Sequence, residues 1–254
     1  MTKARGQYVR ELRHRKARRK YGAFVAEGIV NVGELLGSAA VVELLAGTPE
    51  GLDALRQNAP HVTFPTETYE VGPAAMERLS TQVRPSGVLA VAETFGYGPE
   101  SLANAARVLY LDGVNDPGNA GTLLRTAEWF GLDAVVASPG SVDFYNSKVV
   151  AAARGSLFRV PHGELALADL ITERREPNLL VADLDGVAPR DLDWPEEGVL
   201  LVGSESHGPS EAAHSLVRGG SGRRLTIPGG GKATESLNAA IAGAILMAAW
   251  RGAV

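Results

Sequence analysis

The chain has 254 residues, which allows one large or two modest domains. Its content of 45% hydrophobic and 21% charged residues is ordinary for a globular protein with a real core. Because cysteine is absent, disulfides, a cysteine-based metal site and a thiol nucleophile are excluded, and a cytoplasmic location is favoured. The longest apolar run, from Leu237 to Trp250, suits a buried helix, so we expect neither a membrane span nor a targeting segment.

The charge is unevenly distributed along the chain. A net charge of −4 argues weakly against a nucleic-acid partner, yet residues 1–20 carry nine Lys or Arg and one Glu. This segment therefore holds +8, and the remaining 234 residues hold −12. A basic stretch on an acidic body predicts a localised face for a polyanion. A solvated charged helix that binds nothing is the alternative, and the charge alone leaves both open.

The first part of the chain has the pattern of a small α/β unit. Residues 7–20 show helical spacing, with Val9 and Leu12 as a thin apolar stripe. Short strands and a helix are indicated by AFVAEGIVNVGELLGSA, AAVVELLAG, HVTFPT and SGVLAVAE. Gly, Pro and Ser are concentrated in residues 93–105, which is typical of a linker. We therefore predict a first domain over 1–97 and a second over 103–254.

From residue 106 the pattern changes to strands alternating with helices. Apolar strand-like runs recur as ARVLYL, DAVVAS, NLLVADL, GVLLVGS and RRLTIP, and most precede a helical stretch. This alternation predicts a mostly parallel sheet covered on both faces. Ligands bind such sheets at the carboxyl ends of the strands. The loops after Leu111, Val202 and Ile227 are therefore the predicted place for chemistry.

The last of these loops carries a Gly-Lys step, as phosphate-binding loops do. A P-loop requires Gly at the position of Thr226 and Ser or Thr at that of Ala233, so a nucleotide cradle is not favoured. The dinucleotide fingerprint is also missing after the first strand of this half, which argues against an NAD-type oxidoreductase. The helix that follows is apolar on nearly every face and is predicted to be buried.

Polar side chains occur only in the predicted first turn of that helix, at Glu235, Ser236 and Asn238. Capping by Thr234 or Glu235 explains one polar residue there, but not both a Ser and an Asn.

The other two loops also carry candidate functional residues. In NDPGNAGTLLRTAEWFG a helix is predicted from near Asn119, with Arg125 on its polar face beside Thr122 and Trp129. A solvated Arg is the commoner state, but here the polar face follows the carboxyl end of a buried strand. In LLVGSESHGPS the glycines allow close backbone approach to a ligand, with a tight turn as the alternative.

Together the three loops resemble the motifs of the SpoU (TrmH-type) branch of the SPOUT RNA methyltransferases. The first motif resembles NDPGNAGTLLRTAEWFG, the second LLVGSESHG and the third LTIPGGGKATESLNAAIAGAI, and SKVVAAARGSLFRVP is similar to the segment between the first two. The N-terminal part, with FVAEG and SGVLAVAE, is similar to the small ribosomal-protein-like α/β substrate-binding domain of many members. The resemblance covers nearly the whole chain.

The resemblance implies an α/β-knot, a C-terminal domain with a mostly parallel sheet and a deep trefoil knot that holds S-adenosylmethionine. It implies 2′-O-methylation of a ribose in RNA, with ribosomal RNA favoured over tRNA, and a homodimer without metal. The implied catalytic residues are Arg125, Asn119, Glu205, Ser236 and Asn238. The implied cofactor contacts are Gly203, Ser204, Gly208, Ile227, Pro228, Ser236 and Leu237. The expected RNA contacts are Arg10, Arg13, Arg15, Lys16, Arg18, Arg19, Lys20 and Arg154.

Two questions stay open at this level. In the family the counterpart of Arg125 is held to activate the ribose hydroxyl, but an arginine with its ordinary pKa stays protonated, which favours electrostatic stabilisation. The alternative functions are a tRNA 2′-O-methyltransferase and a non-catalytic RNA-binding protein with a decayed methyltransferase domain.

Overall fold

The computed structural model describes residues 1–174, 177–230 and 236–254, which form two compact units. The first unit comprises Met1–Phe95 with Asp143–Arg159, and the second comprises Gly96–Val142 with Val160–Val254. The segment Asp143–Arg159 was assigned to the second domain on sequence but packs within the first unit. The limits of the predicted functional domains, 1–97 and 103–254, stay a prediction.

The helices and strands follow one another along the whole chain. Up to residue 93 they are α1 (Lys3–Glu11), α2 (Arg15–Tyr21), β1 (Ala23–Glu27), α3 (Ile29–Leu36), β2 (Val42–Gly47), α4 (Pro49–Asn58), β3 (Thr68–Glu70), α5 (Pro73–Leu79) and β4 (Val88–Glu93). Then come α6 (Pro99–Ala103), β5 (Arg107–Asp112), α7 (Pro117–Trp129), β6 (Ala134–Ala137), α8 (Ser147–Ala153), β7 (His162–Glu164), α9 (Leu167–Thr172), β8 (Leu179–Val187), β9 (Gly198–Gly203), α10 (Glu211–Arg218), β10 (Gly222–Leu225) and α11 (Ala239–Trp250). Short 3₁₀ turns occur at Ser156–Phe158 and Pro189–Asp191.

The first unit is built on a four-stranded sheet in the order β1-β4-β2-β3. β4 is antiparallel to both β1 and β2, and β2 is parallel to β3. One face of the sheet packs against Val9 of α1 and Leu12 directly after it, and against Met76 and Leu79 of α5. The predicted apolar stripe of the basic segment is therefore used to hold that segment on the sheet.

The basic segment is not one helix over residues 7–20, as its spacing predicted. It forms α1 and α2, separated by residues 12–14, and α2 ends at Gly22 in the left-handed conformation (φ 62°). The break has a physical reason. Arg18 on α2 donates hydrogen bonds of 2.9 Å to the carbonyl oxygens of Leu12 and Arg13, which the interruption of α1 leaves without helical partners.

The second unit contains a six-stranded parallel sheet in the order β10-β8-β9-β5-β6-β7. The predicted strands ARVLYL, DAVVAS, NLLVADL, GVLLVGS and RRLTIP correspond to β5, β6, β8, β9 and β10, so the mostly parallel sheet is confirmed. Strand β7 has only three residues, too few for the pattern to reveal. One face of the sheet packs against apolar residues of α6, α9 and α10. Because Leu102 and Ala103 of α6 belong to that core, the predicted linker contains a structural helix.

Helices α7 and α11 lie side by side in the second unit and run in the same direction. At their starts, the Nδ2 of Asn238 donates a 3.1 Å hydrogen bond to the Oδ1 of Asn119. At their ends, Gly131, two residues after α7, lies close to the guanidinium of Arg251, which follows α11. Because both helices run in the same direction and α7 follows β5, both begin at the edge of the sheet where β5 and β9 end.

Close packing between the two helices depends on a glycine in α11. A side chain at Gly243 would overlap the buried Leu123 of α7 and press on Val202 of β9. Helix α11 is nevertheless not buried on every face, which corrects the expectation from its composition. Ile241 is 52% exposed, and Ile245, one turn later, is partly exposed. The helix therefore presents an apolar strip that nothing in the described residues covers.

Among the described residues, no helix combines the length and the apolar character needed to cross a membrane.

Candidate active site

Two predicted loops leave the sheet at neighbouring positions. Asp112, the last residue of β5, pairs with Gly203, the last residue of β9. Strands β6 and β7, which follow β5 in the chain, lie on one side of β5 in the sheet. The later strands β8 and β9 lie on its other side. A crevice opens at such a reversal of strand order, just outside the carboxyl ends of the strands. The first and second loops therefore share the edge of the sheet where a ligand is expected.

Asn119 connects all three predicted loops through its side-chain amide. Its Nδ2 donates a hydrogen bond to the Oε1 of Glu205 in the second loop. Its Oδ1 accepts the hydrogen bond from Asn238, which follows the third loop. An amide can donate and accept at the same time, whereas a carboxylate only accepts. The structure thus brings together three of the five predicted catalytic residues in one cluster.

The ends of the helices place these side chains. The Oδ1 of Asp116 accepts a 2.8 Å hydrogen bond from the backbone N–H of Asn119 and so caps α7. The Oδ1 of Asn238 caps α11 by accepting from the N–H groups of Ala240 and Ile241. The cap of α11 is thus Asn238, and Ser236 and Asn238 precede the helix and do not lie in its first turn. The alternative caps, Thr234 and Glu235, lie outside the described residues.

The second loop is a tight turn stabilised by its own backbone. Gly208 donates from its N–H to the carbonyl oxygen of Ser204 over 2.8 Å, and its φ of 67° favours glycine. A side chain at Gly203 would overlap the backbone of Gly208 and Pro209. The geometry of the turn is therefore enough to require Gly203 and Gly208. Contacts of Gly203, Ser204 and Gly208 with a cofactor stay a prediction.

Asp112 is a site residue that the sequence analysis missed. It is buried, and its Oδ2 accepts a 2.7 Å hydrogen bond from the backbone N–H of Ser210, which fixes the end of the second loop to β5. Tyr110 lies two residues earlier, with its hydroxyl bonded to the carbonyl oxygen of Leu165. Burial, reinforced by the negative charge of Asp112, raises the pKa of Tyr110, so this phenol stays protonated. The only signal in the sequence was one acidic residue ending an apolar strand.

The third loop begins at β10, two strands from β9 and roughly 10 Å away. Thr226 fixes its start, because its backbone N–H donates to the carbonyl oxygen of Val187 and its hydroxyl donates to that of Leu184. Ile227 is partly exposed, and the other predicted cofactor contacts of this loop, Pro228, Ser236 and Leu237, are exposed. The Gly-Lys step at Gly231 and Lys232 lies outside the described residues.

Arg125 is exposed on α7, and among the described residues its guanidinium has neither an ion pair nor a hydrogen bond. It follows Asn119 by six positions, so the two side chains leave the helix about 120° apart. Arg125 is therefore not held by the Asn119 cluster in this structure. It lies with Thr122 and Trp129 on the exposed face, as the helical pattern predicted.

The predicted RNA contacts in the first unit divide into exposed and internally bonded side chains. Arg18 is only 5% exposed, and its Nη2 lies 2.7 Å from the Oδ2 of Asp143. Arg13 is exposed, yet its Nη2 donates to the carbonyl oxygens of Arg78 and Ser80. The buried ion pair of Arg18 argues against its prediction as a phosphate contact, because breaking it would leave Asp143 uncompensated.

The remaining predicted RNA contacts are at least partly accessible. Lys16, Arg19 and Lys20 are exposed on α2, and Lys20 lies over the ring of Tyr21. Arg154 is exposed at the end of α8 in the left-handed conformation (φ 52°). Arg10 and Arg15 are partly exposed. The basic segment therefore keeps an accessible cationic surface without Arg18.

The described residues contain no group of three or more His, Asp or Glu side chains that could hold a metal ion. The loops of the second unit offer a different set of ligands. Residues 203–210, 226–230 and 236–238 offer backbone amides, hydroxyl groups and the carboxylate of Glu205 to a ligand.

Comparison with known proteins assigns both parts of the chain. Residues 106–248 match the family model of the SpoU rRNA Methylase family, and residues 4–90 match that of the MRM3-like substrate binding domain. The 23S rRNA (guanosine(2553)-2′-O)-methyltransferase RlmP of Bacillus subtilis is 32% identical over 259 residues, covering 98% of each chain. The 23S rRNA (guanosine-2′-O-)-methyltransferase RlmB of Bordetella pertussis is 30% identical over 235 residues, which is 84% of this chain and 94% of the relative.

Solved structures give the same result. A protein of the TrmH family from Porphyromonas gingivalis has a TM-score of 0.85 and 35% identity, with 100% of this chain and 99% of the other covered. The AdoMet-bound rRNA methyltransferase from Sinorhizobium meliloti has a TM-score of 0.84 and 25% identity, with 100% and 96% covered. With its three loops, parallel sheet and matched family model, the chain belongs to the SpoU rRNA methylase family.

Proposed function

We propose that this protein transfers a methyl group from S-adenosylmethionine to a ribose 2′-hydroxyl in structured RNA, with 23S rRNA favoured over tRNA. The observation that carries the proposal is the Glu205–Asn119–Asn238 cluster, which connects three loops at the carboxyl edge of the parallel sheet. The relatives named as 23S rRNA 2′-O-methyltransferases support ribosomal RNA, and because they are bacterial, a cytoplasmic location is part of the proposal.

The loops have the chemistry that this cofactor needs. S-adenosylmethionine carries a sulfonium cation and an uncharged adenine, and the described parts of the loops offer the carboxylate of Glu205 and backbone amides to them. We assign its contacts to the backbone around Gly203, Ser204 and Gly208 in the second loop. In the third loop we assign them to Ile227, Pro228, Ser236 and Leu237. When bound, the cofactor supplies an electrophilic methyl group.

Arg125 acts on the RNA in this proposal. Methylation of a neutral hydroxyl would form a C–O bond as the methyl–sulfur bond breaks and the sulfonium becomes a neutral thioether. It would also release the hydroxyl proton, so negative charge develops on the ribose oxygen before or during transfer. A protonated guanidinium placed beside that oxygen or the neighbouring phosphate stabilises this charge. The lack of an internal partner among the described residues leaves Arg125 available for this role. The proton passes to solvent or to a second group on the RNA.

The polar cluster has a positioning role. Asn119 is fixed by Glu205 and Asn238, so the start of α7 is held against the second loop and the start of α11. Because Arg125 belongs to the same helix, the cluster determines where its guanidinium lies relative to the cofactor loops. Ser236, two residues before Asn238, is exposed and is assigned to the ribose or the cofactor.

The first unit binds the RNA in this proposal, through the cations that remain accessible. These are Arg10, Arg15, Lys16, Arg19, Lys20 and Arg154, whereas Arg13 is also exposed but bonded to the carbonyl oxygens of Arg78 and Ser80. The match to a substrate-binding domain over residues 4–90 supports this assignment, because α1 and α2 lie within it.

A homodimer and a trefoil knot complete the proposal. Ile241 is 52% exposed and Ile245 is partly exposed, and a second copy of the chain would remove this apolar strip of α11 from water. Sedimentation should give a dimer at micromolar concentration, and a monomer there would contradict this part. The knot, formed by threading the last segment through an earlier loop, is tested by a crystal structure that traces residues 226–239.

Titration calorimetry and a methyl-transfer assay test the function itself. We expect stoichiometric binding of S-adenosylmethionine and transfer of its methyl group to an unmodified 23S rRNA transcript at a 2′-oxygen. Methylation of tRNA but not of the 23S rRNA transcript would make tRNA the substrate. A protein that binds RNA but not S-adenosylmethionine would instead be the non-catalytic alternative, and the proposal would fail.

A further inference from the structure

Trp129 at the end of α7 is exposed in a way that the other tryptophans are not. Its relative exposure is 83%. Trp194 and Trp250 stack on each other with ring centroids 6.1 Å apart. Their Nε1 groups donate to the carbonyl oxygens of Pro189 and Pro195. An exposed aromatic ring offers a face on which another flat ring can stack.

The indole lies on the same exposed helix face as a cation of the second unit. Arg125 precedes Trp129 by four positions, so the two side chains are neighbours on that face, roughly 5–6 Å apart at their Cβ atoms. The result is an exposed aromatic ring one helical turn from a guanidinium group.

Aromatic rings beside cations match the two parts of a nucleotide. An unpaired base stacks on the ring, and the adjoining phosphate binds the guanidinium group. Arg125 contacts the RNA at the reacting ribose in the proposed function and is one helical turn from Trp129, so a base next to that ribose is within reach of the ring. A second protein copy is the alternative occupant, and the uncharged apolar strip of α11 at Ile241 and Ile245 offers it a separate surface.

We propose that Trp129 is the stacking platform for an unpaired base of the RNA next to the target ribose. This inference rests on the proposed function, because the nucleotide that reaches Trp129 is identified by placing Arg125 at the reacting ribose. Trp129 is thus a recognition residue, and its effect falls on the binding of RNA rather than on the chemical step.

Steady-state kinetics with an unmodified 23S rRNA transcript test the role of the ring. Trp129→Ala should raise the KM for RNA by roughly 5- to 150-fold, the range for loss of one base–aromatic stack. The kcat at saturating RNA and the affinity for S-adenosylmethionine should stay within twofold. Trp129→Phe should recover most of the loss, because it keeps an aromatic face. Leu184→Ala is the matched control, since Leu184 is an apolar side chain of the same unit that is 73% exposed.

Tryptophan fluorescence gives a readout that does not depend on catalysis. A ten-nucleotide oligoadenylate should quench the exposed tryptophan, and a ribose-phosphate chain of equal length without bases should not. The quench should vanish in Trp129→Phe, because Trp194 and Trp250 are packed against each other.

Three results would overturn the inference. The first is a KM of Trp129→Ala within twofold of the wild type. The second is an equal quench by the chain without bases. The third is a Trp129→Ala protein that sediments as a monomer while the wild type is a dimer, which would make Trp129 a contact between copies. If the wild type binds no S-adenosylmethionine, the proposed function fails, whereas the fluorescence titration still reports on the stack.

Discussion

The basic segment of α1 and α2 differs from the helix that carries Asn119 in how its arginines are bonded. The basic segment has nine cations in 20 residues, but Arg18 and Arg13 use their guanidinium groups on Asp143 and on backbone carbonyls. Arg5 also pairs with Glu67 at 2.6 Å, and this hydrogen bond lowers the pKa of Glu67. In the second unit, one arginine on α7 has no such partner among the described residues.

The number of charged residues in a segment therefore exceeds the number that can bind a ligand. A buried cation that already satisfies a carboxylate and two carbonyl groups, as Arg18 does, contributes to stability, and it cannot leave them without a penalty. A cation that the fold leaves unpaired is available to a substrate. Variants of these residues should distinguish arginines that stabilise the fold from an arginine that acts on the substrate. A variant of Asn119 should test the polar cluster that positions the latter.

The largest expected effect is that of Arg125→Ala on turnover. Removing the guanidinium should lower kcat by roughly 10²- to 10³-fold, because charge on the ribose oxygen loses its stabilisation in the transition state. The affinity for S-adenosylmethionine, measured by calorimetry, should hardly change. Arg218→Ala is the control, since Arg218 is exposed on α10 and paired with Glu211. Turnover of Arg125→Ala within a few-fold of the wild type would remove this residue from the mechanism.

Arg18→Ala should act on stability instead. It leaves the carboxylate of Asp143 and the carbonyl groups of Leu12 and Arg13 without their partner, so the free energy of unfolding should fall by about 3–5 kcal/mol. Urea denaturation measures this loss. Lys16, exposed on the same helix, is the control, and its replacement by Ala should change the free energy of unfolding by only about 0.5 kcal/mol. Equal stability of both variants would mean that the two cations do not differ in the way the structure indicates.

Asn119→Ala tests the cluster that positions the loops. The variant loses both the donor to Glu205 and the acceptor for Asn238, and the resulting displacement should reduce kcat/KM by up to roughly 100-fold. Asn115→Ala is the matched control, because Asn115 lies in the same loop and bonds only to the carbonyl oxygen of Gly113 among the described residues. The methyl-transfer assay should separate the two variants, and similar activities would show that the connection between the loops is dispensable.

The smallest effect concerns the accessible cations of α2. Replacing Lys16, Arg19 and Lys20 with Ala should flatten the slope of log RNA affinity against log salt by up to roughly 0.7–0.9 per lost phosphate contact. Binding of S-adenosylmethionine should be unaffected. RNA affinity measured at several salt concentrations decides the matter. Parallel lines for the variant and the wild type would make α2 the solvated helix that its charge pattern also allowed.

Local pattern was enough to predict much of this protein. Alternation of apolar strands and helices predicted the parallel sheet, and the order of three loops predicted the family, because both are properties of neighbouring residues along the chain. The exposed face of α7 with Arg125 and Trp129 was also predictable, since helical periodicity alone determines which side chains share a face.

Contacts between distant segments decided the rest. The ion pair of Arg18 with Asp143 joins residues 125 positions apart, so no local pattern distinguishes Arg18 from the exposed Arg19. The bridging role of Asn119 and the choice of Asn238 as the cap of α11 depend on where other loops end. Sequence determined which residues could serve each role through their periodicity and chemistry. Tertiary structure decided which of them do, because a polar side chain is available to a ligand only when the fold has not already satisfied it.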